Sequence, residues 1–146
     1  MMALGTKARY ATRIMVFLAR HAEGKPVSRY DIGEAQGISP DYVEQILILL
    51  KTKRLVQSHR GRNGGFSLTR DADTITLTEV LEAVDGPIMP APCIGDPCDR
   101  ENGCPSCGVW KEAAETVKNF FSKTTIGKMA RGEAAASSES PIMYQI

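Results

Sequence analysis

Residues 28–50 read SRYDIGEAQGISPDYVEQILILL, and the punctuation of this stretch decides the fold. Ser28 followed by Asp31 resembles a capping box that opens a short helix, with Ile32 and Ala35 turned inward. Gly37 suits the residue just past the end of that helix. Ser39 then caps a further helix with Pro40 at its first position, where a missing N–H costs nothing, and Val43, Ile46, Leu47 and Leu50 form its buried face. Two helices joined by a short glycine-bearing turn have the spacing of a helix-turn-helix, a pattern that many small helical domains share.

Upstream, Ala11, Ile14, Met15, Leu18 and Ala22 recur at helical steps, predicting an amphipathic first helix from Thr6 to about Ala22, broken by Gly24-Lys25-Pro26. Downstream, Leu55 to Ser58 reads as a strand, Arg60-Gly61-Arg62-Asn63-Gly64-Gly65 as a glycine-rich turn and Phe66 to Leu68 as the returning strand. This hairpin is the wing of a winged helix-turn-helix. At its tip His59, Arg60 and Arg62 sit on a backbone that glycines leave open, so guanidinium and N–H groups have access to phosphates or a minor groove. The glycines also suit a purely structural turn, but such a turn has no need of flanking arginines. A phosphate-cradling nucleotide loop fits poorly, because no Gly-Lys-Ser/Thr follows.

Residues 76–85, with Leu77, Val80, Leu81 and Val84, predict another amphipathic helix. A long helix from about Cys104 to Phe121 carries Val109, Trp110, Ala113, Ala114, Val117, Phe120 and Phe121 along one side. So wide an apolar stripe is matched either by a second subunit or by the first helix of the same chain. The expected fold class is mainly α with a small β-hairpin wing, a winged helix-turn-helix plus a long dimerisation helix. The expected divisions are a DNA-binding domain over residues 1–86, a cysteine-rich loop over 87–107, a dimerisation helix over 104–127 and a flexible tail over 128–146.

Charge separates the two halves of this 146-residue chain, whose overall formal net charge is only +1. Residues 1–70 hold 12 Lys/Arg against 5 Asp/Glu, and residues 71–146 hold 6 against 12, so +7 is joined to −6. A basic half followed by an acidic half suits a nucleic-acid-binding module with a separate sensing or assembly segment. No apolar run, Ile46 to Leu50 among them, approaches the roughly 20 residues of a membrane helix, and the amino terminus carries no secretory signal pattern. The expected location is therefore cytoplasmic, with no membrane partner. Neither His21 nor His59 has a plausible nucleophile partner nearby in sequence, so no enzyme activity is expected.

All four cysteines, Cys93, Cys98, Cys104 and Cys107, fall within one loop that also contains Pro90, Pro92, Pro97, Pro105, Gly95 and Gly103. Disulfides that staple a fold are spread along a chain, whereas clustered thiols in a reducing compartment point to metal. The spacing C-x4-C-x5-C-x2-C has one CxxC knuckle, where a zinc ribbon has two. Four sulfurs suit zinc as well as an iron–sulfur cluster. A dithiol redox pair at Cys104 and Cys107 is a further reading, but no thioredoxin-like βαβ pattern surrounds it.

Three segments together make the chain resemble the Rrf2 family of winged-helix regulators. They are Lys7-Ala8-Arg9-Tyr10-Ala11, Ile38-Ser39-Pro40-Asp41-Tyr42-Val43-Glu44-Gln45-Ile46, and Leu55-Val56 through Arg60-Gly61-Arg62-Asn63-Gly64-Gly65-Phe66. Thr78 to Asp85 and Thr125-Ile126-Gly127 extend the resemblance to about residue 130. It implies a homodimer formed through the long helix, with the third helix in a major groove and the wing in the adjoining minor groove of double-stranded DNA with a palindromic operator. Carried onto this chain, it makes Ser39, Tyr42, Glu44 and Gln45 the recognition-helix contacts, and Arg60 and Gly61, with Arg62 beside them, those of the wing. Gln pairs with adenine and Glu accepts from cytosine N4, while Ser39 and Tyr42 are better placed for phosphates. In members that bind a 2Fe-2S cluster, three cysteines and a histidine are the ligands. Cys93, Cys98 and Cys104 match the cysteines, with one residue fewer between the first two, and Cys107 stands where the histidine would be. The expected cofactor is thus an iron–sulfur cluster, 2Fe-2S in preference to 4Fe-4S, with zinc as the alternative. Members that sense nitric oxide take a carboxylate from the first helix, where this chain has Arg9.

Overall fold

A computed structural model describes residues 4–21 and 25–133. Six α-helices and one hairpin follow in the order α1 (Thr6–Arg20), α2 (Arg29–Gln36), α3 (Pro40–Thr52), β1 (Val56–His59), β2 (Gly65–Leu68), α4 (Leu77–Asp85), α5 (Cys107–Lys123) and α6 (Ile126–Ala130). Short 3-10 turns occupy Ala72–Thr74, Pro92–Ile94 and Glu101–Gly103. Ala22, the expected last member of the α1 stripe, and residues 134–146 of the expected tail lie outside the described residues.

The predicted caps are present. The Ser28 hydroxyl accepts from Asp31 N–H at the start of α2, Gly37 ends that helix in the left-handed region at φ 65°, and Ser39 accepts from Tyr42 N–H at the start of α3. One inward assignment is corrected: Ala35 is exposed, and Gly33 is buried in its place. A Cβ on Gly33 would stand 2.6 Å from the carbonyl oxygen of Ile38, so the helix-turn-helix corner closes over a bare backbone.

The core lies where α1, α3 and α4 meet. Ile14 and Met15 of α1, Val43, Ile46, Leu47 and Leu50 of α3, and Val80 of α4 are all fully enclosed. Burying such side chains contributes roughly 1.5–3 kcal/mol each. β1 and β2 pair antiparallel with Val56 opposite Leu68 and His59 opposite Gly65. Val27 adds a bridge to Phe66, its N–H donating to the Phe66 carbonyl at 2.9 Å and its carbonyl accepting at 2.8 Å. The wing is thereby stitched to the connection that enters α2.

Both boundaries of the long helix differ from expectation. The long helix starts at Cys107 rather than Cys104, because Cys104 precedes Pro105 and is held extended at φ −82°, ψ 116°. It stops at Lys123, after which Leu77 N–H donates to Thr124 O at 2.8 Å and Ile126 N–H to Ile75 O at 2.9 Å. α6, whose last three residues open the stretch expected as tail, buries Ile126 against this junction. Arg131 then donates to both carboxylate oxygens of Asp73 at 3.0 and 2.8 Å.

Candidate nucleic-acid interface and cysteine loop

α3 is held by its buried face, which leaves the opposite face and its first turn to solvent. Gln45 is exposed, as are Asp41 and Ile48. Ser39 is also exposed, and while its oxygen caps Tyr42 N–H at 3.3 Å its own O–H remains a donor. Tyr42 is half-buried, its ring edge-on to Tyr10 of α1 with centroids 6.0 Å apart, so the phenol is steadied by α1. Glu44 is half-buried and bound by a partner that sequence reading missed. Arg29, the first residue of α2, directs Nη1 to Glu44 Oε2 and, at 3.4 Å, to Asp41 Oδ1, while Nη2 donates to the Tyr30 hydroxyl at 3.1 Å. Its guanidinium also lies over the Tyr30 ring, 5.0 Å from the centroid. Nothing local in the sequence marks this pairing, since fifteen positions separate Arg29 from Glu44.

At the wing, Arg60, Gly61, Arg62 and Asn63 are all exposed. Gly61 adopts φ 108° with open space where a Cβ would be, and Gly64 N–H closes the turn on Gly61 O at 3.0 Å. The His59 Nε2 lies 2.8 Å from Ser67 Oγ across the strands, which fixes that ring beside the hairpin rather than beyond its tip. Lys51 of α3 donates to Ser58 Oγ of β1 at 2.7 Å, linking the two surfaces.

The loop between α4 and α5 and the first residue of α5 together carry four free thiols, Cys93 exposed and Cys98, Cys104 and Cys107 partly covered. Among the described residues no three His, Cys, Asp or Glu side chains stand close enough together to share a metal ion. The donor chemistry nevertheless suits a thiophilic centre. The Ser106 hydroxyl, 3.3 Å from Cys104 Sγ, together with the N–H groups of Ser106 and Cys107, holds the Cys104 thiol below its ordinary pKa and so toward thiolate. Lys111 of α5 is tied to Glu101 at 2.5 Å, which keeps that carboxyl below the usual range and the ammonium above it.

α5 rests on α4. The Thr78 hydroxyl reaches Lys118 O at 3.3 Å and Ser122 Oγ at 3.1 Å, and Val117 and Phe121 line a hollow with Leu4, Leu81, Ile88 and Met89. Its outer side stays uncovered, with Val109, Trp110 and Phe120 exposed. No described helix is long and apolar enough to cross a membrane.

A family model described as an iron-dependent transcriptional regulator, Rrf2, matches residues 4–132. The chain belongs to the Rrf2 family. It is therefore a DNA-binding transcription regulator and not an enzyme. Among relatives of this Rrf2 regulator, the HTH-type transcriptional regulator IscR of Klebsiella pneumoniae is 35% identical over 133 residues, covering 90% of this chain and 82% of the relative. Among solved structures, CymR, the global cysteine regulator of B. subtilis, superposes with a TM-score of 0.75 at 30% identity, over 90% of this chain and 98% of that one. IscR of T. potens also gives 0.75, at 26% identity, over 99% and 97%. The mainly helical architecture with one antiparallel hairpin is that of these winged helix-turn-helix structures, as the sequence predicts.

Proposed function

We propose that this Rrf2 regulator is a homodimer that reports redox, iron or nitric oxide status to its promoters through an iron–sulfur cluster held by Cys93, Cys98, Cys104 and Cys107. The observation that carries this reading is the position of the thiols: the loop that bears them runs directly into α5, and Cys107 is the first residue of that helix. The donor set is soft and free, on a proline- and glycine-rich chain able to bend toward one centre. Ligation by all four requires the loop to draw together, since no three of these groups stand close in the structure. A bound cluster supplies a one-electron couple and a site for attack by oxidants. The chain's own part is to convert loop order into a changed orientation of α5, the surface assigned to the second subunit.

On DNA, α3 would enter a major groove with Gln45 and Glu44 at base edges and with Ser39 and Tyr42 at phosphates. Arg60, Gly61 and Arg62 would track the adjoining minor groove. Two-fold symmetry then calls for a palindromic operator whose half-sites are about 10–10.5 base pairs apart, or a multiple of that.

The test is anaerobic purification followed by an absorption spectrum and iron and sulfide analysis, repeated on Cys104→Ala. Brown protein with iron and sulfide in stoichiometric amounts, lost in the variant, supports the cluster. Colourless protein containing zinc defeats the sensing role and leaves a regulator with a structural metal loop. Footprints confined to one asymmetric half-site would count against the dimer.

A further inference from the structure

The face of α3 assigned to DNA carries two carboxylates, Asp41 and Glu44, that the phosphate backbone repels. Asp41 has a local explanation, because an acid in the first turn complements the helix dipole. Glu44 has none, and it is the residue on which Arg29 converges. The guanidinium is held on two sides, by the carboxylates of α3 and by the hydroxyl and ring face of Tyr30. With 28% of the Arg29 side chain and 46% of the Glu44 side chain exposed, the pair is too well solvated to contribute much to folding. Its geometry instead constrains one atom. Arg29 occupies Oε2 of Glu44, and among the described residues Oε1 receives no hydrogen bond from the protein.

We infer that Arg29 is a positioning residue for sequence readout: it holds Glu44 so that Oε1 is presented to a base edge, and it offsets the carboxylate charge that phosphates would repel. A free glutamate must lose the freedom of three torsions on binding, whereas one already clamped loses little, so its preference for a donor such as cytosine N4 is sharpened. The planar fork is needed for this, because a lysine in its place supplies charge without fixing orientation. This inference rests on the proposed docking of α3 in a major groove.

The experiment selects sites from a random-sequence duplex DNA library with the full chain, then measures binding to the recovered sites and their single-base variants. The proteins are wild type, Arg29→Met, Arg29→Lys, Glu44→Gln and the Arg29→Met/Glu44→Gln double variant, with thermal melts to confirm that each is folded. The expected result is that Arg29→Met loses discrimination, by about fivefold or more, at the base positions where Glu44→Gln loses it. In the Glu44→Gln background the same change should add less than about twofold, because its target is gone. Arg29→Lys should bind within about twofold of wild type yet lose the same preference.

A uniform loss across all sequences, undiminished in the Glu44→Gln background and accompanied by a shallower salt dependence, would make Arg29 a phosphate ligand and overturn the inference. Full preference in Arg29→Lys would overturn the orienting role. If wild type enriches no sequence, the underlying reading of α3 fails, an outcome distinct from either of these.

Discussion

Gly61 and Gly65 offer a matched pair for measuring what the stitch between wing and body contributes. Both have positive φ, 108° and 151°, so alanine is strained at either. Their surroundings differ completely. Nothing lies within 4 Å of a Cβ on Gly61, whereas a Cβ on Gly65 would stand 2.4 Å from the carbonyl oxygen of Val27 and 2.5 Å from its carbon. These are backbone atoms that no rotamer change moves aside. Gly61→Ala should therefore carry the conformational cost alone, about 1–2 kcal/mol. Gly65→Ala must in addition part Val27 from Phe66, losing two backbone hydrogen bonds at roughly 0.5–1.5 kcal/mol each, for a total of about 2–5 kcal/mol. At roughly 3–5 °C per kcal/mol for a domain of this size, the melting temperature should fall by about 6–25 °C in Gly65→Ala and by about 3–10 °C in Gly61→Ala. Circular dichroism melts of both variants under one buffer condition decide the matter. Equal shifts would refute the argument that close backbone approach, rather than φ, is what Gly65 serves.

Other contacts yield further expected outcomes. Thr76→Ala removes the reciprocal cap with Glu79 at the start of α4 and should cost about 1 kcal/mol in a denaturant titration. Asp73 is held below its ordinary pKa of 3.8 first by its hydrogen bond from Arg131. A depressed carboxyl pKa gives stability that is present above 3.8 and lost as pH falls through the lower folded value, so Asp73→Asn should flatten the acid limb of a melting-temperature profile by lowering the melting temperature slightly at pH 7 while leaving it unchanged in strong acid. Phe120→Glu and Val109→Glu alter side chains 64% and 60% exposed, so the monomer should melt almost unchanged while sedimentation shows loss of the proposed dimer. A large drop in monomer stability would mean that these residues pack within their own chain.

Local chemistry made most of the frame legible. Ser28, Ser39, Pro40 and Gly37 act on neighbours within a few positions, and the buried stripe of α3 repeats at helical intervals, so their consequences are written side by side in the chain. The contacts that escaped are distant in sequence. The bridge from Val27 to Phe66, the clamp from Arg29 to Glu44 and the junction of Ile75 with Ile126 each join segments whose proximity exists only once the core has formed. α6 escaped for a further reason: five residues are too few to display a period, and the helix owes its stability to burial of Ile126 rather than to propensity. α5 starts three residues later than its apolar stripe predicts because the restriction that Pro105 imposes on Cys104 outweighs the helical character of the residues beyond Cys107. In the cysteine loop the donor types were plain from spacing, but their arrangement depends on how a chain rich in proline and glycine bends.

Residues 86–106 leave one helix and return to another that packs against it, for α4 and α5 are already joined through Thr78 and through the ion pair of Glu82 with Lys118 at 3.8 Å. A segment hung between two docked supports bears little of the scaffold's weight. Even doubling its length would cost only about 0.6 kcal/mol in closure entropy. Descent with modification is thus free to respell this stretch, shifting a thiol by one position or exchanging one side-chain type for another, while the helix-turn-helix and wing stay folded. If the loop is the detector proposed above, detector and DNA-reading surface are separable inheritances, and a single scaffold is able to acquire new signals without relearning its operator.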